Sequence, residues 1–382
     1  MRTISFGYRS TRIDRRDEKT RNDARIICYV VCGAVIALLP LGRALGQDSE
    51  IIPVQSSTVP ANGDQNPYGV AFVPADFSPG GPLQPGDILV SNFNNAANLQ
   101  GTGTTIVKVA PNGQTSPFFQ GNPPPTLGLT TALGVLKRGF VLVGNVPTKD
   151  GTFATIQAGS LLVLDRNGVQ IGTISDPNLL DGPWDLTIAD NGDRAQVFVS
   201  NVLSGTVTRL DLDVGLSAVS VTRKIQIASG YTQHSDPAAL VVGPTGLAYD
   251  PVNDVLYVAS TGDNTIFAVE NAGATTQSQS GRGAVIFKDK ALLHGPLGLA
   301  FAPNGHLLTS NGDAPTVPSK QTLPSEILEF TKNGNFIGEF SIDSAAGAAF
   351  GIAIVPSGEA SARFAAVDDS RNDLTVFSLS TP

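Results

Sequence analysis

The stretch GPTGLAYDPVNDVLYVASTGDNTIFAVENAG, residues 243–273, decides the fold. GLAYD alternates small and apolar residues and suits a short strand covered on both faces. PVND is a turn, because proline presets φ while Asn and Asp tolerate the left-handed region. VLYVAS is β-branched and aromatic, the composition of a buried strand. TGDN is a second turn, and TIFAVE alternates with the period of two that a pleated strand imposes. After a third turn, AVIFKD (Ala284–Asp289) supplies a fourth strand. The spacing predicts one four-stranded antiparallel unit of about 50 residues.

The same unit recurs along the chain. Equivalents of VLYVAS are ILVSN (Ile88–Asn92), FVLVGN (Phe140–Asn145), VFVSN (Val197–Asn201), LLTSN (Leu307–Asn311) and FAAVD (Phe364–Asp368). Gly69, Gly246, Gly298 and Gly351 mark the first strands, and Asp185 takes that place in the third copy. TTALGVLKRG carries a weaker second copy without the Gly-Pro lead. One such sheet cannot bury both its faces, but six packed radially can. The expected fold is therefore all-β, a six-bladed β-propeller with blades at residues 66–120, 126–175, 182–229, 243–289, 295–342 and 349–380. The sixth copy stops after three strands, and SEIIPVQSS (Ser49–Ser57) is the expected fourth, closing the ring from the N-terminal side.

The composition agrees. Gly numbers 41 and Pro 26 in 382 residues, and only 15% of residues are charged, as expected of many short strands joined by turns. The pattern of glycine before the first strand, an LYVAD-like second strand and an N-x-I third strand resembles the NHL-repeat family, over residues 66–380. The resemblance implies the propeller fold; its motif positions are mostly structural.

Residues 1–46 read differently. A basic segment with eight Lys/Arg leads into an apolar run, Ile26 to Gly42, followed by Ala44 and Gly46 at small-residue positions before Gln47. This is the layout of a secretory signal, with an uncleaved membrane anchor as the alternative. Either arrangement predicts that residues 47–382 are exported, to the periplasm or outside the cell, with membrane contact only through the N-terminal segment. Both cysteines, Cys28 and Cys32, lie in that segment, so the exported part has no disulfide and no thiolate. Residues 47–382 carry 16 basic and 29 acidic side chains, which argues against nucleic acid as a partner and favours cationic or neutral ligands.

Ligands of a propeller bind at one end of its central channel, on the face built from blade links and second-to-third-strand turns. Here those segments are long: 91–104, 144–160, 310–326, 120–128 and 229–244. Long loops on a rigid scaffold are where function concentrates. Asn92, Asn145, Asn201, Ser260, Asn311 and Asp368 share one repeat position. They would either ring a hard cation such as calcium or accept backbone N–H groups of the following turns. Trp184, the only Trp, and Asp185 break the repeat and should lie near the mouth, Trp184 to stack on a planar ligand and Asp185 as a base or metal ligand. His234 and His294 sit in blade links on the same face, and His306 on the opposite one, leaving a two-His site completed by Asp185 as the zinc arrangement to test. No G-x-S-x-G, H-E-x-x-H or phosphate loop occurs.

These features give a binding scaffold for a protein, peptide or glycan as the first expectation. The architecture is also similar to the gluconolactonase group, which implies a metal-dependent lactonase-like hydrolase using calcium or another divalent cation. The acids that group places at the starts of its inner strands are represented here by Asp185 alone. A third reading is a lyase similar to the amidoglycolate lyases, whose zinc is held by histidines.

Overall fold

The computed structural model describes residues 53–122, 126–312, 325–343, 347–358 and 361–380. The apolar run at 26–42, its two cysteines and most of the 310–326 loop lie outside the described residues. Six four-stranded antiparallel sheets make up the molecule, with one short extra hairpin. The only helical element among the described residues is a single 3-10 turn, Phe153–Thr155. None is a helix long and apolar enough to cross a membrane.

The opening stretch folds as read. Its strands are Pro244–Asp250, Val255–Ser260, Thr265–Glu270 and Ala284–Phe287, paired in that order. The innermost strands of the six blades are Gln65–Phe72, Leu129–Leu136, Pro183–Asp190, Pro244–Asp250, Pro296–Phe301 and Ala349–Gly358. Each packs on the next, and the last packs on the first, so they form a closed barrel-like ring around the channel. The ring is sealed as the strand count required. Val54–Ser57 pairs antiparallel with Asp373–Ser380 and completes the sixth blade. Apolar side chains of facing sheets interdigitate between blades, for example Ile88, Phe198 and Phe364, all fully buried.

Every innermost strand carries a register irregularity at the same point, between Pro67 and Gly69 in blade 1 and between Pro183 and Asp185 in blade 3. A bulge frees a backbone N–H from the ladder. The repeated serine of the second strand takes it: Gly69 N–H donates to Ser91 Oγ (3.0 Å), Asp185 N–H to Ser200 Oγ (3.1 Å) and Gly298 N–H to Ser310 Oγ (2.8 Å). The glycines have their own cause. A Cβ at Gly351 would lie 2.0 Å from the Tyr68 carbonyl oxygen, and one at Gly246 would lie 2.5 Å from that of Leu297. Neighbouring blades approach backbone to backbone there, and only a residue without a side chain permits it.

Candidate ligand cavity at the channel mouth

The bulges divide the channel in two. Below them, residues such as Val70, Leu133, Leu186, Leu247, Leu299 and Ile352 line a cavity of 310 Å³ at the end formed by first-to-second-strand turns. Above them, on the face of blade links and second-to-third turns, lies a second cavity of 260 Å³. Asp185 lines neither; it stands in the waist between them. Its Oδ1 accepts the N–H of Leu186 (2.8 Å), and its carboxylate also accepts that of Leu247 from the next blade. Burial pushes this carboxyl well above the ordinary range and the two N–H groups pull it part of the way back. In this position Asp185 bridges the inner strands of blades 3 and 4.

The wall of the upper cavity is aromatic. The residue before the bulge glycine, or before Asp185 in blade 3, faces inward, which places Tyr68, Trp184, Thr245, Leu297 and Phe350 around the mouth. Tyr68 stacks on Phe350 (ring centroids 4.6 Å apart) and on Phe93 (4.4 Å), and meets Trp184 edge-on at 6.2 Å. Such contacts hold the rings in fixed orientations. The link between blades 3 and 4 crosses over them as a hairpin, His234–Asp236 paired with Leu240–Val242. Leu240, Val241 and Val242 are buried, and Leu240 adopts φ +62°, a conformation that an L-residue with a branched side chain rarely takes. Gln100 Nε2 in the blade 1 loop donates to Ala238 O (2.9 Å) and fastens the hairpin tip.

Asp369, half-buried, borders the cavity from the blade 6 turn. Its carboxyl is pushed up to about 7, first by burial and then by neighbouring Asp368, against the pull of its own N–H and that of Ser370. Asn66 and Gln100 also border this space; the Oδ1 of the one and the Oε1 of the other are buried and without a hydrogen-bond partner. Buried acceptors of this kind are uncommon and costly. Thr245 and Thr261 differ, because both hydroxyls donate to Pro296 O, at 3.0 and 2.7 Å.

The remaining sequence-derived candidates separate. Asn145 Oδ1 accepts Gly128 N–H (2.8 Å), Asn311 Oδ1 accepts His294 N–H (2.9 Å), Asn92 Nδ2 donates to Thr58 O (3.0 Å) and Asn201 Nδ2 to Leu179 O (3.3 Å). Each therefore ties down the segment entering its own blade instead of the turn that follows. Asp368 does cap its following turn, accepting Ser370 N–H at 2.9 Å, and Ser260 bonds Asp263. The Oδ1 atoms of Asn92 and Asn201 lack partners too, but those residues do not border the cavity. His234 is exposed on the hairpin and His294 is buried beside Asn311. Among the described residues no three of His, Cys, Asp and Glu form a group able to hold a metal, so Asp185, His234 and His294 are not brought together. The donor set needed for the calcium or zinc of the two enzyme readings is not assembled by these residues. Asp369, Asn66 and Gln100 were not singled out by the sequence. The signal available was that Asp369 is a second, adjacent acid beyond the repeat position.

No protein-family model matches the sequence, and no curated protein matches it. Solved structures match in fold. A gluconolactonase from Xanthomonas campestris aligns over 89% of this chain and 98% of its own at 13% identity, with a TM-score of 0.50. Virginiamycin B lyase from Staphylococcus aureus aligns over 86% and 88% at 14% identity, TM-score 0.46. The calcium-binding protein regucalcin from Agrobacterium tumefaciens aligns over 85% and 92% at 13%, TM-score 0.48. At these identities the likeness concerns the six-bladed fold.

Proposed function

We propose that this chain is an exported, NHL-like propeller that binds a small molecule in the aromatic cavity at the mouth of its channel. The observation that carries this reading is the combination of a walled cavity with a raised carboxyl, Asp369, and two bordering residues, Asn66 and Gln100, whose buried amide oxygens have no hydrogen-bond partner. Concave, largely apolar sites with a few polar groups are the usual form of small-molecule sites. At 260 Å³ the space lies just below the ~300–1,000 Å³ typical of drug-sized ligands, which favours a compact one. Trp184 is the only Trp of the chain, so its fluorescence reports directly on the cavity. Titration of the purified protein with a small-molecule library should give hits that both shift Trp184 emission and raise the melting temperature. Hits that raise the melting temperature while leaving Trp184 untouched would place the site elsewhere.

A second reading is a lactonase-like hydrolase. The likeness in fold to the gluconolactonase supports this reading more than it supports a pure binding scaffold. Asp369 supplies a local reason, since a carboxyl that exchanges its proton near neutrality suits general acid–base work. Lactone hydrolysis that disappears in Asp369→Ala while the fold is retained would establish it. Activity unaffected by that change would remove Asp369 from the chemistry.

A further inference from the structure

Resting on the cavity reading above, we propose that the ligand is a compact organic ammonium ion with an apolar body, its cationic end toward Asp369, Asn66 and Gln100 and its body against Trp184, Tyr68 and Phe350. The argument is one of complementarity. The Asp369 carboxylate borders this space and accepts only backbone N–H groups, its own and that of Ser370; Asn66 and Gln100 border it too, and their buried amide oxygens have no hydrogen-bond partner. The Gln100 amide cannot be turned to present a donor, because its Nε2 is committed to Ala238 O. Carboxylates and phosphates would meet a like charge, whereas an ammonium brings donors and a positive charge to the acid. The ring faces add to this. Aromatic walls attract cations through their quadrupoles, Trp most strongly. The excess of acidic side chains in residues 47–382 raises the local concentration of cations in the same direction.

The test uses the purified full-length protein and Trp184 fluorescence, with 2-phenylethylamine as probe against 2-phenylethanol, phenylacetate and calcium chloride. The amine should bind at least tenfold more tightly than the neutral alcohol, and phenylacetate should bind most weakly. Asp369→Asn should weaken the amine tenfold or more and leave the alcohol unchanged. Asn66→Asp adds a second charge at a position with φ +59°, which Asp tolerates, and should tighten amine binding. Melting curves of both variants check that they fold. Equal affinities for amine and alcohol would overturn the cationic ligand while leaving the cavity reading intact. No fluorescence or melting response to any organic probe would overturn both. A response to calcium alone, not competed by amine, would replace the ammonium with a metal.

Discussion

At the scale of single residues, Asp369 is the informative one. Asp368 and the Tyr68 phenol are the titratable groups beside it, and burial together with Asp368 keeps its proton on to about pH 7. In the unfolded chain the same carboxyl ionises near 3.8. The native state therefore holds the extra proton between these values, and stability falls as pH rises from about 4 to about 7. Asp369→Asn removes this dependence. Its urea midpoint should match the wild type at pH 3.5 and exceed it at pH 8, with unchanged m-value. A gap of the same size at both pH values would mean that the carboxyl is solvated in the native state. A protein that keeps a destabilising acid at its channel mouth behaves as expected where a binding group is retained at a cost to the fold. Sequence reading stopped one residue short here. The repeat alignment selects Asp368, which caps its own turn, and marks its neighbour only as a second acid outside the repeat.

At the scale of elements, the hairpin His234–Val242 is the part that the sequence concealed. The segment reads as a link, its strands are only three residues each, and the residue at positive φ is Leu240, not a glycine or asparagine that would mark a turn. Its apolar side chains are used to cover the aromatic ring, leaving Trp184 only 2% exposed. Leu240→Gly should relieve the backbone, by about 1 kcal/mol, while losing a buried side chain worth ~1.5–3 kcal/mol. The expected net loss of stability is therefore small. Acrylamide quenching of Trp184 should rise clearly in this variant; unchanged quenching would show that other loops shield the ring. The blades themselves were legible because each carries its own signals. In LLTSN the apolar residues give the strand, the serine takes the bulge N–H and the asparagine holds the incoming link. A repeat whose every polar residue has such a duty is visible in sequence, whereas a ligand site, built once from unlike segments of five blades, is not.

For the molecule as a whole, closure dominates. Val54 pairs with Val376 and Ser57 with Asp373, and Thr58 N–H continues the contact to Asn372 O at 3.0 Å. Removing residues up to Ser57 leaves Asp373–Ser380 as an open edge, which invites association with other chains. Such a variant should melt several degrees lower, at about 2–4 °C per kcal/mol lost, and should run partly as oligomers in size-exclusion chromatography. A truncated chain that stays monomeric with an unchanged melting temperature would show that the inner-strand contacts suffice. This closure was foreseeable by counting, since the last repeat lacked one strand and the start of the chain had one to spare.

The pairing of Val54–Ser57 with Asp373–Ser380 also sets a timetable. The strand Val54–Ser57 leaves the ribosome early and has no partner until Asp373–Ser380 has been made. Until then five blades can form in order, but the ring stays unlatched, with a raw sheet edge at either end of the arc. A chain released before Asp373 would have its first five blades complete and still never become circular. Surveillance by proteases needs no recognition sequence to find such a product: the missing latch is itself the mark.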